Sequence, residues 1–275
     1  MVECNDMNCI QNIECLARQL RKRALEIAYH AGKNGAHLGG GLSTVEIFAA
    51  LYGGILKLDV TNPYDDGRDR LIVSKGHCVL AYYAALESVG FLSSTDIASF
   101  ESNGSHFHGH ATRNLKNGIE FSGGSLSMGM SFAVGIAVAS KKKGMSNKVY
   151  ALVGDGECDE GLIWEAAMAA SNYKLDNLVV IVDCNGLQYD GFTKEIMNHG
   201  SLADKFQAFG FKVSEVDGHN CHALYYALRE EVQEKPLAII AHTVKGKGVS
   251  FMENKKEWHH AVLSLQQYEQ AISEL

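Results

Sequence analysis

Apolar residues at Ile13, Leu16, Ala17, Leu20, Ala24, Ile27 and Ala28 recur at three-and-four spacing, which predicts an amphipathic helix with Arg18, Arg21, Lys22 and Arg23 on its solvated face. Residues 1–12 read as a loosely ordered lead. A glycine-rich loop follows over 31–41 (AGKNGAHLGGG), and Ser43 with Glu46 has the spacing of a capping box opening the next helix. RLIVS at 70–74 reads as a short buried strand, then Lys75-Gly76-His77, then a helix through Val79, Leu80, Tyr83 and Leu86 that stops at Gly90. Residues 125–143 form a helix with Gly or Ala on almost every turn, a surface suited to close packing. Strands at 148–153, 178–183, 211–216 and 237–242 then alternate with helices at 160–173, 201–209 and 222–232. A last helix carries Tyr268, Ile272 and Leu275. This alternation predicts an α/β fold, a parallel β-sheet flanked by helices on both faces, with ligands at the carboxyl ends of its strands.

Composition narrows the picture. With 275 residues, 46% hydrophobic and 21% charged, the chain has the makeup of a globular protein. Two prolines against 28 glycines leave no proline-rich linker, so one continuous domain over 1–275 is expected. Lys plus Arg number 25 against 32 Asp plus Glu, net −7, which supplies no general field for nucleic acid or an anionic membrane. The apolar run over 132–139 is far shorter than the ~18 residues of a membrane span, and the start lacks a signal pattern, so a cytoplasmic protein is expected. Seven cysteines contain no C-x-x-C pair, and Cys4, Cys9 and Cys15 read as incidental thiols of the lead.

The chemistry concentrates in two strand ends. Gly154-Asp155-Gly156-Glu157 follows one strand and Asn185-Gly186-Leu187 the next. If these strands are neighbours, the Asp155 carboxylate, the Asn185 amide oxygen and the backbone carbonyl of Leu187 can converge on one hard cation. Magnesium takes few protein oxygens and fills its octahedron with water and phosphate oxygens, so such a set implies a phosphorylated partner. Gly154 and Gly156 would let phosphate approach backbone N–H groups at a helix start.

G-D-G, a gap and then Asn match the thiamine-diphosphate fingerprint, and over nearly its entire length the chain resembles the N-terminal, diphosphate-binding domain of transketolase. Gly35-Ala36-His37-Leu38-Gly39, Ser74-Lys75-Gly76-His77, Gly109-His110-Ala111 and Gly124-Ser125-Leu126-Ser127-Met128-Gly129 stand in that family's motif order. The resemblance implies a thiamine-diphosphate-binding fold. Asp155, Asn185 and the Leu187 carbonyl would hold magnesium, or calcium or manganese in its place. His77 and His259 would contact the diphosphate or bound intermediate, with Gly154, Gly156 and Glu157 beside it. His37 and His110 would face the substrate and move protons. Gly124 and Leu126 would meet the aminopyrimidine. Glu160 would lie at a subunit interface and couple two sites. Where the family reads His-Gly this chain has His259-His260, Ala111 and Thr112 replace Pro-Glu, and Ser125 stands where Pro is common, which puts the ordinary sugar phosphates in doubt.

Plainer readings stand beside these. Of twelve histidines, His30, His106, His108, His199, His219, His222 and His242 read as ordinary surface or core residues. Cys158 reads as a bystander although it lies near a helix start. Lys245 and Lys247, in a glycine-spaced turn, either line a lid over phosphate or belong to a basic surface loop.

Transketolases also need a pyrimidine-binding domain, and no such pattern follows here. The resemblance is therefore to the N-terminal subunit of a split transketolase, two copies of each subunit in a heterotetramer, with the helix near Gly129 at an interface. The implied reaction moves a two-carbon ketol unit from a ketose, phosphorylated or not, to an aldose. Other expectations are a subunit of a deoxyxylulose-phosphate synthase-like or 2-oxo acid dehydrogenase enzyme, or a non-catalytic cofactor-binding subunit.

Overall fold

The computed structural model describes residues 6–275. Its strands are β1 (Arg70–Val73), β2 (Val149–Gly154), β3 (Leu178–Cys184), β4 (Lys212–Asp217) and β5 (Leu237–His242). They form one parallel sheet in the order β1-β2-β3-β5-β4. The helices are α1 (Asp6–His30), α2 (Leu38–Leu42), α3 (Val45–Ala50), α4 (Val79–Ser88), α5 (Ser94–Ala98), α6 (Met128–Lys142), α7 (Gly161–Asn172), α8 (Thr193–Ile196), α9 (Leu202–Ala208), α10 (Cys221–Leu228) and α11 (Leu265–Ser273).

The period-two alternation of each strand divides the core. Leu71, Val73, Tyr150, Leu152, Val179, Ile181, Leu237 and Ile239 point to one face, where α1, α3, α4 and α10 cover them. Ile72, Val149, Ala151, Val153, Val180, Val182, Ala238 and Ile240 point to the other, under α6, α7 and α9. Both faces are dry over β1, β2, β3 and β5, which is why these strands read as continuous apolar runs, whereas the edge strand β4 is partly exposed. Among the described residues no helix is long and apolar enough to cross a membrane.

Several expectations are corrected. Residues 6–12 are not a loose lead but the first turns of α1, because Ile10 extends the apolar stripe and is buried, while Asp6 accepts hydrogen bonds from Tyr225 (2.9 Å) and Arg229 (2.8 Å). Cys9 and Cys15 lie on this helix, and Cys4 lies outside the described residues. Arg21 is not solvated: it is 7% exposed and ion-paired with Glu46. Consequently Ser43 and Glu46 form no capping box. Glu46 is drawn to Arg21, and the Ser43 hydroxyl donates to Asp183 at 2.8 Å.

The glycine-rich stretch is partly helical, as α2. A Cβ on Gly39 would stand 2.9 Å from the Lys245 side chain and 3.0 Å from the Trp258 carbonyl, so α2 packs at a distance only glycine permits. Gly129 likewise faces inward, where a Cβ would meet the Ser74 hydroxyl at 2.6 Å. The exposed side of α6 is formed instead by Met128, Phe132, Gly135 and Ala139. Helix α10 ends at Leu228, short of the expected 232, and Glu230 turns away to accept from Ser214 of β4.

Candidate active site

Because β2 and β3 are neighbours, with Gly154 opposite Asp183, the two chemistry-bearing turns emerge side by side at the carboxyl edge. Around them lies a cavity of about 280 Å³ lined by His37, Lys75, His77, His110, Gly124, Leu126, residues 154–157, Asn185, residues 187–190 and His259. A larger cleft of about 830 Å³ opens at the other edge of the sheet, near Lys57, Asp69 and Lys148, and holds none of the motif residues.

Each wall has a local origin. Lys75 and His77 follow β1, the Gly154–Glu157 turn follows β2, and Asn185 and Leu187 follow β3. His37 stands just before α2, tied to the 259–261 segment by an antiparallel bridge between Ala36 and Ala261. That bridge brings four motif histidines together: ring centroids are 5.0 Å apart for His37–His110, 6.2 Å for His37–His77, 5.7 Å for His37–His259 and 4.9 Å for His77–His259. His260 lies on the outer side of His37 at 4.6 Å. Gly124 has φ +125°, a backbone turn suited to glycine, and Leu126 is 40% exposed beside it.

Asp155 is buried and accepts from the N–H groups of Gly156 (2.8 Å) and Gly186 (2.6 Å). Asn185 donates its amide to Asp183 (2.9 Å) and accepts from the Leu187 N–H at 3.1 Å. The Leu187 carbonyl accepts from the Lys245 ammonium at 3.0 Å, so this oxygen already faces a cation. Burial, and then the negative Asp183, push the Asp155 carboxyl up to about 6, outweighing the Gly186 and Gly156 N–H groups and the Lys75 charge that pull it down. One carboxylate, one side-chain amide and one carbonyl suit a hard divalent cation that completes its shell with water and phosphate oxygens. Among the described residues no three His, Cys, Asp or Glu side chains gather as a softer metal site would require.

Behind this edge lies a charged network. Burial works against ionised Asp183, yet the Lys75 ion pair and hydrogen bonds from Thr243 and Ser43 keep its carboxyl below the ordinary range. Breaking a buried pair on one side costs about 3–5 kcal/mol, so removing either Lys75 or Asp183 alone is expected to destabilise this edge. Asp183 belongs to none of the expected site residues, although a carboxylate ending the buried run Leu178–Cys184 was a signal. Glu157 borders the cavity, and its carboxylate braces the turn by accepting from Ser74, from Gly154 N–H (2.9 Å) and from Ser127 N–H (2.7 Å). Glu160 lies outside the cavity, exposed at the start of α7, because the intervening 3-10 turn carries the chain away. Cys158 is buried and its thiol is pushed well up, in keeping with a bystander. Lys245 is not a surface-loop residue: it is 1% exposed, and burial, then the neighbouring Lys75, lower it to about 8.

Burial drives His37 and His259 down to about 3 and His77 well below its ordinary range, so all three are neutral at pH 7. In the unfolded chain they titrate near 6.5, so between that value and the folded ones the unfolded state binds more protons. Their contribution to stability is complete above pH 6.5 and lost as pH falls toward 3. Urea denaturation at pH 7 and pH 5 is expected to show a loss of about 1 kcal/mol per histidine after discounting for partial exposure. Equal stability at the two pH values would contradict neutral burial.

A parallel sheet with a polar, histidine-rich cavity at its carboxyl edge and a G-D-G…N-G pair of turns defines a diphosphate-binding domain of the α/β class. Residues 15–275 match the family described as transketolase, thiamine diphosphate binding domain. The chain belongs to the transketolase family. It is 42% identical over 268 residues to an apulose-4-phosphate transketolase subunit of Phocaeicola vulgatus, covering 97% of this chain and 94% of that one. It is 41% identical to the 6-deoxy-6-sulfo-D-fructose transketolase subunit SqwG of Clostridium sp. (strain MSTE9), covering 94% of each. The transketolase structure from Leishmania mexicana superposes with TM-score 0.89 at 29% identity, covering 95% of this chain and 41% of that one. That from Campylobacter jejuni gives 0.86 at 30%, covering 97% and 42%. The chain thus spans nearly the whole of the relatives named as subunits and about two-fifths of the solved transketolase chains.

Proposed function

We propose that this chain is the N-terminal subunit of a split transketolase, one that holds thiamine diphosphate and works with a second chain supplying the pyrimidine-binding domain. The observation that carries this is the coverage contrast, 94% of the Phocaeicola relative, itself named as one subunit of a transketolase, against 41% of the Leishmania transketolase. The site chemistry agrees with it. Asp155, Asn185 and the Leu187 carbonyl would hold magnesium, or calcium or manganese. Gly154 and Gly156 would let the diphosphate approach the backbone, and His77, His259 and Lys245 would supply donors that the net charge of −7 does not.

Thiamine diphosphate, when bound, supplies the electron sink for breaking and forming a bond next to a carbonyl. Around it, His37 and His110 are placed to bind sugar hydroxyls and move protons, since neutral imidazoles can both accept and donate. Leu126 and Gly124 would border the aminopyrimidine. Glu160, exposed on α7, would meet a neighbouring subunit, and the Met128-Phe132-Gly135-Ala139 side of α6 offers an apolar surface for contact in an assembly with two copies of each chain. The substrates are sugars rather than nucleic acid or lipid. Ala111 and Thr112 beside His110 support a specialised ketose donor, in line with the modified sugars in the relatives' names.

The test is transfer of a two-carbon unit from a ketose to an aldose, assayed with thiamine diphosphate and magnesium on this chain alone and mixed with a candidate partner. Transfer only in the mixture is expected. Cofactor binding without transfer in any mixture would favour a non-catalytic subunit, and no cofactor binding in either condition would overturn the assignment.

A further inference from the structure

Lys245 stands behind the cavity wall, its ammonium on the Leu187 carbonyl and the His259 ring, on a turn that has no regular secondary structure of its own. The turn is closed by the Lys247 N–H donating to the Val244 carbonyl at 3.1 Å, with Gly246 at φ +79°. A side chain on a turn like this is only as well placed as the turn itself. From outside, two backbone bonds hold it, Gly246 N–H to the Gly39 carbonyl at 3.0 Å and Asn254 N–H to the Lys245 carbonyl at 2.9 Å, and two side chains grip it as well. His219 Nε2 accepts the Val244 N–H at 2.8 Å, and the Arg21 guanidinium donates to the Lys247 carbonyl. These two side chains are joined: Glu46 accepts from Arg21 through one oxygen and from His219 Nδ1, at 2.9 Å, through the other. Arg21 comes from α1, Glu46 from α3 and His219 from the turn between β4 and α10, so three distant segments converge on one four-residue turn.

The chain of donors has a single consistent direction. A backbone N–H can only donate, so His219 Nε2 must be bare and its proton must sit on Nδ1, where the Glu46 carboxylate accepts it. Arg21 balances the charge of Glu46, and the two are 7% and 9% exposed, so water does not compete for these bonds. None of the three side chains lines the cavity.

We propose that Arg21, Glu46 and His219 form a positioning clamp that holds the 244–247 turn so that the Lys245 ammonium stands at the Leu187 carbonyl. Resting on the function proposed above, the clamp sets the positive charge that the cofactor's phosphates and metal meet. His219 is a positioning residue, acting through Lys245, and its role was not visible in a sequence where it read as an ordinary histidine.

The experiment follows the rate at which acetic anhydride modifies individual lysines of the full chain, read by peptide mass spectrometry. In the wild type, Lys245 and Lys75, each 1% exposed, are expected to react far more slowly than exposed Lys142. His219→Phe keeps the ring's bulk but removes the acceptor for Val244. It is expected to speed modification of Lys245 about fivefold, the effect of one lost hydrogen bond, while Lys75, held by Asp183, is unchanged. His219→Gln keeps an acceptor oxygen and is expected to remain close to wild type. An unchanged Lys245 rate in His219→Phe, equal acceleration of Lys75, or a His219→Gln variant as fast as His219→Phe would each overturn the clamp. If His219→Phe does not fold, nitrogen NMR of the histidines in the wild type decides: a proton on Nδ1 with bare Nε2 supports the clamp, and the opposite tautomer overturns it. Thiamine diphosphate with magnesium is expected to slow Lys245 further in the presence of the partner chain. Absence of that protection would count against the proposed function and leave the positioning result standing.

Discussion

Asp155→Ala is expected to abolish magnesium-dependent binding of thiamine diphosphate, lowering affinity at least about 100-fold. Of the three groups assigned to the cation, Asp155 is the only one with a formal charge, and a hard divalent ion held by so few protein oxygens depends on that carboxylate. Its burial strengthens the effect, and the raised Asp155 carboxyl marks an anion that the cation would stabilise. The substitution also strips the Gly156 and Gly186 N–H groups of their acceptor, at a cost of about 1–3 kcal/mol per orphaned group. Asp155→Asn therefore serves as the companion variant, since it keeps an acceptor oxygen while removing the charge. Calorimetric titration of the cofactor with magnesium into the chain mixed with its partner measures both. Normal affinity in Asp155→Asn would sink the metal assignment.

His110→Ala is expected to leave cofactor affinity nearly intact and to lower kcat by about 100-fold or more, the range for loss of a general acid or base. His110 stands at the exposed side of the cavity, 5.0 Å from His37, and makes no hydrogen bond to the Asp155 turn, so its removal is expected to spare the diphosphate site. Its pKa is lowered chiefly by burial, with Glu101 pulling it up and His260 pressing it down. The imidazole is therefore neutral at pH 7 and able to take a proton as well as give one. Steady-state kinetics with the partner chain provide the measurement, and unchanged kcat would remove His110 from the substrate site.

The clearest features of the sequence were those with a local cause. The apolar runs of β1, β2, β3 and β5 announced a parallel sheet because those strands are dry on both faces, and glycines flanking His37, His77 and His110 marked turns at its edge. Asp155 and Asn185 were legible as a pair because each follows a strand directly and the crossover between them is of helix length. His259 could be placed only by motif order, and the Ala36–Ala261 bridge, which joins segments more than 200 residues apart, is what seats it against His37 and His77.

Local pattern failed where a long-range partner outbid a local one. Ser43 and Glu46 have capping-box spacing, but Asp183 and Arg21 offered stronger, charged partners. Arg21 sits among basic neighbours on α1 and still goes inward, because Glu46 and two backbone carbonyls meet it there. Lys245 read equally as part of a lid over phosphate or of a basic surface loop until the fold placed the Leu187 carbonyl and His259 around its ammonium. Residue order was enough for the layered α/β sheet, the two turns that carry the diphosphate chemistry and the family, because these rest on periodicity and on short motifs within single segments. Which buried charges pair, what the Glu157 carboxylate braces, and which lysine stands behind the Leu187 carbonyl emerge only once the chain is folded, because an ion pair is chosen by distance in space and desolvation, and neither is written in residue spacing.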